Sequence, residues 1–353
     1  MSDSQPVVVL GGTGYVAGEL LRLLAMHPRL QLRAIASDGQ PGQSVARFFP
    51  HLQHSWPELE FIDHESAAEL VASLEDCAIL SAAPHGVSAG LIDGLLSRAE
   101  AAGTHPRVVD ISADYRYASA SAYQAVYKHP HGATARLEQF TCAVPEHLSE
   151  LRTPHVAHPG CFATAILLAS VPLLALGIVE PRLFVAGVTG STGSGRTPAA
   201  GTHHPQRHSD LYSYNALTHR HTPEVAALAQ AASGVDAEFA FVPHSGPFAR
   251  GIHVTVQATA KRSIGATELR AALADFYRDR AFVRVTDDAP RIKDVATSNY
   301  AHLGATASGS TVAVMCAIDN LVKGAAGGAL QWLNRMLGWD ETLGLTMPAP
   351  GWT

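Results

Sequence analysis

Cys161 lies where a thiol can act as a nucleophile. It follows a Pro-Gly pair and opens the apolar run CFATAILLASVPLLALGIV over 161–179. If this run is a helix, the N–H groups and dipole of its first turn favour the thiolate. A buried structural cysteine is the commoner alternative. We assign that structural role to the three cysteines within strand-like apolar runs, Cys77, Cys142 and Cys316, and predict that Cys161 is the nucleophile.

Two histidines can supply the proton transfers that a cysteine nucleophile needs. His219 and His221 flank Arg220 in LTHRHTPEV, just before a predicted helix that begins near Pro223. Imidazoles suit acid/base work near neutral pH, and the arginine between them suits an anion. A solvated pair of capping histidines is the alternative, and the sequence does not choose between the two imidazoles.

Three arginines can bind an acidic substrate. Arg116 follows a predicted strand in DISADYRY, Arg196 lies in the loop GSGR, and Arg250 precedes a strand in FARGI. Each alone would be an ordinary surface arginine. Because all three stand in loops at strand ends, we expect them to hold carboxylate or phosphate groups through paired N–H bonds.

A glycine-rich turn in VVVLGGTGYVAGELLRLL predicts a dinucleotide site. In one register the fingerprint uses Gly12, Gly14 and Ala17, and a second register brings in Gly11 and Gly18. Glycines permit a tight turn and close approach of the backbone to a pyrophosphate, which then faces a helix N-terminus. The readable strand before the turn and helix after it favour this interpretation over a plain βα turn.

The residues after the second predicted strand do not decide which dinucleotide is bound. An acidic residue such as Asp38 favours a ribose hydroxyl and hence NAD, whereas Ser37 with a nearby Arg47 favours the 2′-phosphate of NADP.

The elements that must position these residues form two domains. Strands predicted at 6–11, 30–37, 77–84 and 107–113 alternate with helices at 18–27 and 87–103, which is typical of a parallel sheet covered on both faces. After about residue 156 the pattern changes: GIHVTVQATA (251–260) alternates strictly, and 238–244 and 311–319 are also strand-like. We therefore predict an α/β chain with a Rossmann-type parallel-sheet domain and an α+β domain with a mainly antiparallel sheet.

The predicted boundaries place the dinucleotide-binding domain at 1–156, with 323–353 returning to it through a last helix at 323–337. The catalytic, substrate-binding and dimerisation domain takes 157–322. The Gly/Ser/Thr-rich stretch 189–204 is predicted to be a functional loop rather than a linker.

Composition excludes several function classes. The chain has 353 residues, 47% of them apolar, and a formal net charge of −6, so neither nucleic acid nor an anionic membrane is expected as a partner. Four separated cysteines and scattered histidines indicate neither a disulfide framework nor a metal site. The N-terminus lacks a basic region before an apolar stretch, and 161–179 is interpreted as a buried helix rather than a membrane span. The expected compartment is the cytoplasm.

Several segments resemble the N-acetyl-gamma-glutamyl-phosphate reductases, which belong to the aspartate-semialdehyde-dehydrogenase-like group. The similarity covers essentially the whole chain and is carried by GGTGYVAGELLRLL, APHGVSAGL, DISADYR, HPGCFATA, GSTGSGR, HRHTPEV, FVPHSGPFARGI and IDNLVKGAAGGALQWLN. Their order along the chain makes coincidence improbable. This sequence departs from the family pattern at Ala17, His158, Ser245 and Phe248.

The resemblance implies an enzyme that reduces an acyl phosphate to an aldehyde with NADPH, through a thioester on Cys161, in arginine biosynthesis. It also implies a small acidic acyl-phosphate substrate, no metal, and a homo-oligomer, either a dimer or a tetramer. His219 would be the acid/base group with His221 beside it. The implied cofactor contacts are Gly11, Thr13, Gly14, Tyr15, Val16, Ser37, Pro84, His85 and Ser191. The implied substrate contacts are Ser112, Arg116, Arg196 and Arg250.

Two other functions stay open. A related reductase could act on an aspartyl phosphate or on an aminoadipyl phosphate attached to a carrier protein, although the acidic balance of this chain disfavours an acidic carrier. A regulator that senses nucleotides without catalysis would keep the dinucleotide fold but would need no activated thiol.

Overall fold

A computed structural model describes residues 4–352 of the chain. These residues divide into two compact units. The first contains the chain up to Ala143, Glu150–His158 and Ala326–Leu345. The second contains Val144–Ser149, Pro159–Ala325 and the residues from Thr346 onward.

The first unit is built on a parallel sheet of seven strands in the order β3-β2-β1-β4-β5-β7-β6. Every pairing in it is parallel, as predicted for strands alternating with helices. The strands are β1 Gln5–Leu10, β2 Leu30–Ala36, β3 Phe61–Ile62, β4 Ala78–Ser81, β5 Arg107–Asp110, β6 Phe140–Cys142 and β7 His155–Ala157.

The helices of the first unit up to residue 143 have uneven lengths. They are α1 Tyr15–Met26, α2 Val45–Phe48, α3 His64–Ser73, α4 Ser88–Ala101 and α5 Ala120–Tyr127, with 3-10 turns at Pro50–Leu52 and Thr134–Gln139. Helix α1 begins three residues before its predicted start. The loops after β1, β4 and β5 all leave the carboxyl edge of the sheet, which is where doubly wound folds bind their ligands.

The second unit contains a mixed sheet of seven strands in the order β12-β13-β14-β11-β8-β10-β9. Four of its six pairings are antiparallel, and β10–β8 and β12–β13 are parallel. The strands are β8 Val179–Thr189, β9 Tyr212–Ser213, β10 Glu238–Ser245, β11 Ile252–Ala260, β12 Val283–Val285, β13 Ala301–Ser308 and β14 Thr311–Ile318.

The alternation predicted for 251–260 is visible in strand β11. Its residues Ile252, Val254 and Val256 are fully buried, whereas His253 and Thr255 between them are half-buried. One face of this strand therefore packs on the core of the unit. The two predicted sheets, one parallel and one mainly antiparallel, are both confirmed.

The remaining helices all begin after residue 158 of the chain. They are α6 Cys161–Ala175, α7 His204–Arg207, α8 His221–Ser233, α9 Ala266–Phe276 and α10 Gly327–Met336. Shorter 3-10 turns lie at Pro145–His147, Ser191–Ser194, Ala200–Thr202 and Ile292–Asp294, and a π-helical turn spans Val322–Ala326. Helix α10 belongs to the first unit.

Helix α6 is shorter than the apolar run 161–179 suggested. It ends at Ala175, because Gly177 takes the left-handed conformation with φ +63°, and Val179 already starts β8. Residues from Phe162 to Leu174 are all buried, so the helix is central to its core. Within residues 4–352 no helix combines the length and the apolar character needed to cross a bilayer.

Candidate active site

Cys161 is the first residue of α6. Gly160, in an extended conformation, precedes it as the N-cap, so the thiol stands beside the N–H groups of the first turn, as predicted. The side chain is partly buried against the core of the second unit. Gly324 approaches it so closely that a Cβ there would lie 2.7 Å from the Cys161 Cβ. Only glycine fits at that position.

The other cysteines differ from Cys161 in their surroundings. Cys77 and Cys316 are fully buried. Burial raises the pKa of the Cys77 thiol to about 12 and that of Cys316 still further, so both are protonated thiols at neutral pH. Cys142 ends the edge strand β6 and is partly buried. These positions fit the structural role predicted for the three.

His219 lies in an aromatic cluster that includes the residue after Cys161. Its ring makes edge contacts with Phe162, the residue after the cysteine, at 5.9 Å between centroids, and with Phe241 and Tyr214 at 5.3 and 5.6 Å. Burial, and secondarily the charge of Arg220, lower the pKa of His219 to about 4. The imidazole is therefore neutral at pH 7.

The proton on the neutral His219 ring is assigned by its hydrogen bond. The backbone N–H of His221 donates to His219 Nδ1 at 3.2 Å, so Nδ1 is the acceptor and Nε2 carries the proton. Nε2–H can therefore donate a hydrogen bond to an oxyanion. His221, the first residue of α8, packs edge-on against His219 at 4.8 Å and is also buried.

Two further side chains near Cys161 carry no signal that the sequence analysis used. Burial, and next a charge on Cys161, raise the pKa of the Tyr214 phenol well above its ordinary value. The Tyr214 ring makes an edge contact with His219. Glu224, in the first turn of α8, accepts a hydrogen bond of 2.7 Å from the N–H of Gly160. Through this bond Glu224, which is only 1% exposed, connects the HRHTPEV segment to the start of α6.

The predicted substrate arginines have different environments. Arg250 pairs with the fully buried Asp319 through Nε and Nη2 at 2.7 and 3.1 Å, so its guanidinium is held in one orientation. Arg196 is exposed in the loop after the 3-10 turn Ser191–Ser194. Ser191, predicted to contact the cofactor, lies in that turn and its N–H donates to the Phe248 carbonyl.

Arg116 belongs to the first unit and is buried. Its Nε donates to the carbonyl of His158 at 3.0 Å and its Nη2 to the carbonyl of Ile111 at 2.7 Å. These bonds fix the backbone where β7 ends, three residues before Cys161 in the chain. Ser112, the other predicted substrate residue there, donates its hydroxyl to the buried Asp110. Burial raises the pKa of Asp110 to about 6.

The glycine-rich turn of the first unit suits a dinucleotide. Gly11 has φ +76°, and a Cβ there would lie 2.5 Å from the backbone of Ala82. Gly14 is the N-cap of α1, and a Cβ there would meet no atom within 4 Å. Space is therefore left in front of the helix N-terminus, where a pyrophosphate binds in this motif. Thr13, Tyr15 and Val16 complete the turn and the first residues of α1.

Asp38, two residues after the end of β2, is bonded to the first residue of α3. Asp38 accepts the backbone N–H of His64 at 2.8 Å, and its other oxygen lies 2.7 Å from His64 Nδ1. These hydrogen bonds to the first residue of α3 lower the pKa of the Asp38 carboxyl. Ser37 directly follows the last residue of β2, and Arg47 donates to Gln43 at 3.4 Å.

The loop after β4 is fixed by an aspartate from the loop after β5. Asp114 accepts the N–H groups of Gly86 and Ala89 at 2.7 and 2.9 Å. His85 Nδ1 accepts the N–H of Ala113 at 2.9 Å, so Nε2 carries the proton of the neutral ring. The predicted cofactor residues Pro84 and His85 therefore stand in a rigid loop at the carboxyl edge of the sheet.

Two family models of semialdehyde dehydrogenases match this chain. The model of the NAD-binding domain of semialdehyde dehydrogenases matches residues 6–156, and that of the semialdehyde dehydrogenase dimerisation domain matches 161–320. No group of three or more histidine, cysteine or acidic side chains among residues 4–352 is arranged to hold a metal ion.

Relatives of nearly the same length carry one name. The chain is 36% identical to the N-acetyl-gamma-glutamyl-phosphate reductase of Methanopyrus kandleri over 97% of this chain and 98% of that protein. It is 37% identical to the enzymes of the same name from Rhodospirillum rubrum, over 98% of both chains, and from Pseudomonas aeruginosa PAO1, over 97% and 98%.

Solved structures show the same fold at low identity. Aspartate semialdehyde dehydrogenase II of Vibrio cholerae, complexed with ASA, matches with a TM-score of 0.69 and 16% identity over 96% of this chain and 99% of that one. The aspartate semialdehyde dehydrogenase of Candida albicans, solved with NADP, gives 0.67 and 12% over 95% and 98%. On the strength of the full-length relatives and both domain models, this chain belongs to the N-acetyl-gamma-glutamyl-phosphate reductase family of the semialdehyde dehydrogenases.

Proposed function

We propose that the protein reduces N-acetyl-gamma-glutamyl phosphate to N-acetylglutamate 5-semialdehyde with NADPH and releases phosphate, as a step of arginine biosynthesis. One observation carries the proposal: Cys161 opens a helix within a buried cluster that contains a neutral histidine. The names of the full-length relatives supply the substrate. Cys161 is proposed as the nucleophile, because burial keeps Cys77 and Cys316 protonated at neutral pH.

In the proposed mechanism the Cys161 thiolate attacks the carbonyl carbon of the acyl phosphate. The C–O bond to the phosphoryl group breaks, phosphate leaves, and a thioester remains on Cys161. Nε2–H of His219 donates a hydrogen bond to the carbonyl oxygen as negative charge develops there, both when the thiolate attacks and when the thioester is reduced. The oxyanion left by the reduction re-forms its C=O bond, which expels the Cys161 thiolate and releases the aldehyde.

NADPH, when bound, supplies the hydride for this reduction. The residues proposed to hold it are those of the glycine-rich turn, with Ser37, Pro84, His85 and Ser191. The open space at Gly14 and the rigid loop at His85 support this assignment. His221 would assist His219, because its backbone N–H fixes the tautomer of that ring.

The proposed substrate contacts are Ser112, Arg116, Arg196 and Arg250. Arg250 is the best supported of them, because Asp319 orients its guanidinium while the side chain keeps 23% of its surface exposed. Arg116 and Ser112 are already bonded to protein groups, so their contribution is proposed to lie mainly in fixing the backbone. The protein is proposed to act in the cytoplasm as a dimer or tetramer, in line with the dimerisation domain of its family.

The reverse reaction tests this function. Phosphate-dependent reduction of NADP+ with N-acetylglutamate 5-semialdehyde is measured for the wild type, Cys161→Ser and the control Cys142→Ser. We expect turnover in the wild type and the control and none above background in Cys161→Ser. Undiminished turnover in Cys161→Ser would reject the nucleophile, and an inactive wild type would reject the substrate.

A further inference from the structure

Two buried polar residues, Asp319 and Asn320, follow the last residue of β14. Both lie in IDNLVKG, between the strand and the π-helical turn Val322–Ala326, and they are 0% and 2% exposed. We propose that they form a positioning pair for the reaction. The pair orients Arg250 toward an anionic group of the substrate. It also fixes the conformation of the turn in which Gly324 lies against Cys161. The substrate half of this statement rests on the proposed function.

Asp319 fixes Arg250 by two charge-assisted hydrogen bonds. The contacts, Nε to Oδ2 at 2.7 Å and Nη2 to Oδ1 at 3.1 Å, use one edge of the guanidinium. A flexible arginine loses rotamer freedom when it binds an anion, and a guanidinium already held in a fork loses less. Asp319 therefore lowers the cost of presenting Arg250 in one orientation.

The same carboxylate holds the start of the turn at Gly324. Asp319 Oδ1 accepts the N–H groups of Leu321 and Val322 at 2.8 and 2.9 Å, and its backbone carbonyl accepts the N–H of Gly324 at 3.0 Å. Because a Cβ on Gly324 would lie only 2.7 Å from the Cys161 Cβ, a shift of this turn changes the space around the thiol.

The turn has a second anchor that is independent of Asp319. Lys323 donates to Glu146 at 2.5 Å, and both side chains are fully buried. With this ion pair intact, we expect loss of the Asp319 charge to displace the turn without unfolding it.

Asn320 extends the pair to the loop that carries Ser191. Its Oδ1 accepts the N–H of Gly251, next to Arg250, at 2.6 Å, and its Nδ2 donates to Thr192 Oγ1 at 3.0 Å. Thr192 in turn donates its hydroxyl and its N–H to the carbonyl of Ala249. The backbone on both sides of Arg250 is thereby tied to Asn320 and Thr192.

Two variants and one control separate positioning from stability. Asp319→Asn removes the charge but keeps one side-chain oxygen for the N–H groups of Leu321 and Val322. The N–H of Thr297, which donates to Oδ2, loses its acceptor. Thr192→Val removes a partly exposed hydroxyl and keeps the shape, so it should fold even if Asp319→Asn does not. Tyr277→Phe removes a buried hydroxyl of the same unit that bonds His147 and the Leu168 carbonyl. The Tyr277→Phe variant therefore shows how a loss of stability by itself affects the measured quantities.

The readouts are the KM of each substrate, kcat, the melting temperature, and the rate at which iodoacetamide modifies Cys161. For Asp319→Asn we expect KM for the acyl phosphate to rise about 10- to 100-fold, the scale of a lost charged hydrogen bond, with KM for NADPH within about twofold. The alkylation rate of Cys161 should change at least about threefold. Thr192→Val should show the same pattern with a smaller amplitude, and Tyr277→Phe should change only the melting temperature.

The proposal is overturned if Asp319→Asn and Thr192→Val lower the melting temperature as Tyr277→Phe does and leave KM and alkylation unchanged. Should Asp319→Asn fail to fold, Thr192→Val decides by the same criterion. Should the wild type prove inactive on the acyl phosphate, the proposed function fails, and alkylation of Cys161 in the variants still decides whether the pair sets the thiol's surroundings.

Discussion

At the scale of single residues, the proposed mechanism depends on which nitrogen of His219 carries a proton. His219 is buried among aromatic rings, its pKa is lowered to about 4, and a backbone N–H occupies its Nδ1. One nitrogen alone is therefore left to act on substrate, and it carries a proton at neutral pH. Because the N–H of His221 fixes the tautomer of His219, we predict that His219, rather than His221, takes the role that the sequence left open between the two.

Replacing His219 tests this distinction. We expect His219→Asn to lower kcat about 10²- to 10⁴-fold, the range spanned by the loss of an oxyanion donor or of a general acid, with KM for the acyl phosphate changed much less. His221→Asn should cost less, because the backbone N–H that fixes the tautomer of His219 is retained. Steady-state kinetics of both variants check the prediction. A normal kcat in His219→Asn with a low kcat in His221→Asn would exchange the two roles.

Asp38 is the residue at which cofactor preference can be adjusted. Its carboxylate stands where an acidic side chain would disfavour a 2′-phosphate, but it is bonded to His64. Because the Asp38 side chain is 64% exposed and solvent screens its charge, we expect Asp38→Asn to shift the ratio of KM values toward NADP(H) by no more than about fivefold.

The control for Asp38 is Glu65→Gln, which removes an exposed carboxylate from the first turn of α3. It should leave the ratio of KM values unchanged. A shift toward NAD(H) in Asp38→Asn would show that this carboxylate does not face the phosphate. The two cofactors are compared by initial rates and by quenching of protein fluorescence on binding.

At the scale of elements, Gly324 shows how one turn supports the site. A methyl group at this position would meet Cys161 at 2.7 Å, so Gly324→Ala should lower kcat by at least tenfold or displace the thiol enough to change its alkylation rate. Gly90→Ala, in α4, is the matched control: a Cβ there meets nothing within 4 Å, and the helix gains up to about 1 kcal/mol. Wild-type kinetics in Gly324→Ala would show that the packing at Cys161 is unimportant.

The sequence pattern predicted the elements better than their ends. Alternating burial in β11 and the strand–turn–helix at β1 and α1 depend on local periodicity, and both appeared as predicted. The run 161–179 was interpreted as one helix because it is apolar throughout. It contains both α6 and the start of β8, since buried helices and buried strands look alike in composition. Pro172 and Gly177 both interrupt the run, but Pro172 lies inside α6 and the helix ends just before Gly177, which takes the left-handed conformation.

The residues that the sequence analysis missed act across long separations. Glu224 bonds to Gly160, 64 positions away, and Asp319 bonds to Arg250, 69 positions away. Neither contact has a periodicity or a spacing that a single sequence displays, because tertiary packing alone brings the partners together. Arg116 shows the opposite case. Its position after a strand suggested a ligand contact, but its guanidinium donates to two backbone carbonyls.

At the scale of the whole molecule, buried titrating groups predict how stability depends on pH. Burial, followed by the charges of Arg136 and Arg220 respectively, lowers the pKa of His155 and of His219 to about 4. As pH falls below the unfolded value near 6.5, the unfolded chain binds protons that the folded chain does not. Each histidine thus removes up to about 3 kcal/mol of stability by pH 4.

Asp110 opposes this trend, because its raised pKa lets the folded state bind a proton between about pH 6 and the unfolded value near 4. Burial also lowers the pKa of His147 to about 4. Because these three histidines outweigh one carboxyl, we expect the free energy of unfolding to fall from pH 7 to pH 4.5. Urea titrations at the two pH values measure it, and His155→Gln should flatten the dependence. Stability that is constant or rises toward pH 4.5 would contradict the burial of these imidazoles.

The reactivity of Cys161 tests the central claim of a thiolate at the start of α6 most directly. Iodoacetamide is mixed with the enzyme at pH 7, and peptide mass spectrometry follows the modification of Cys161, Cys142 and a free thiol in parallel, together with the loss of activity. The account predicts that Cys161 is modified at least about tenfold faster than either reference and that inactivation follows its modification. A rate for Cys161 no greater than that of the free thiol would contradict it.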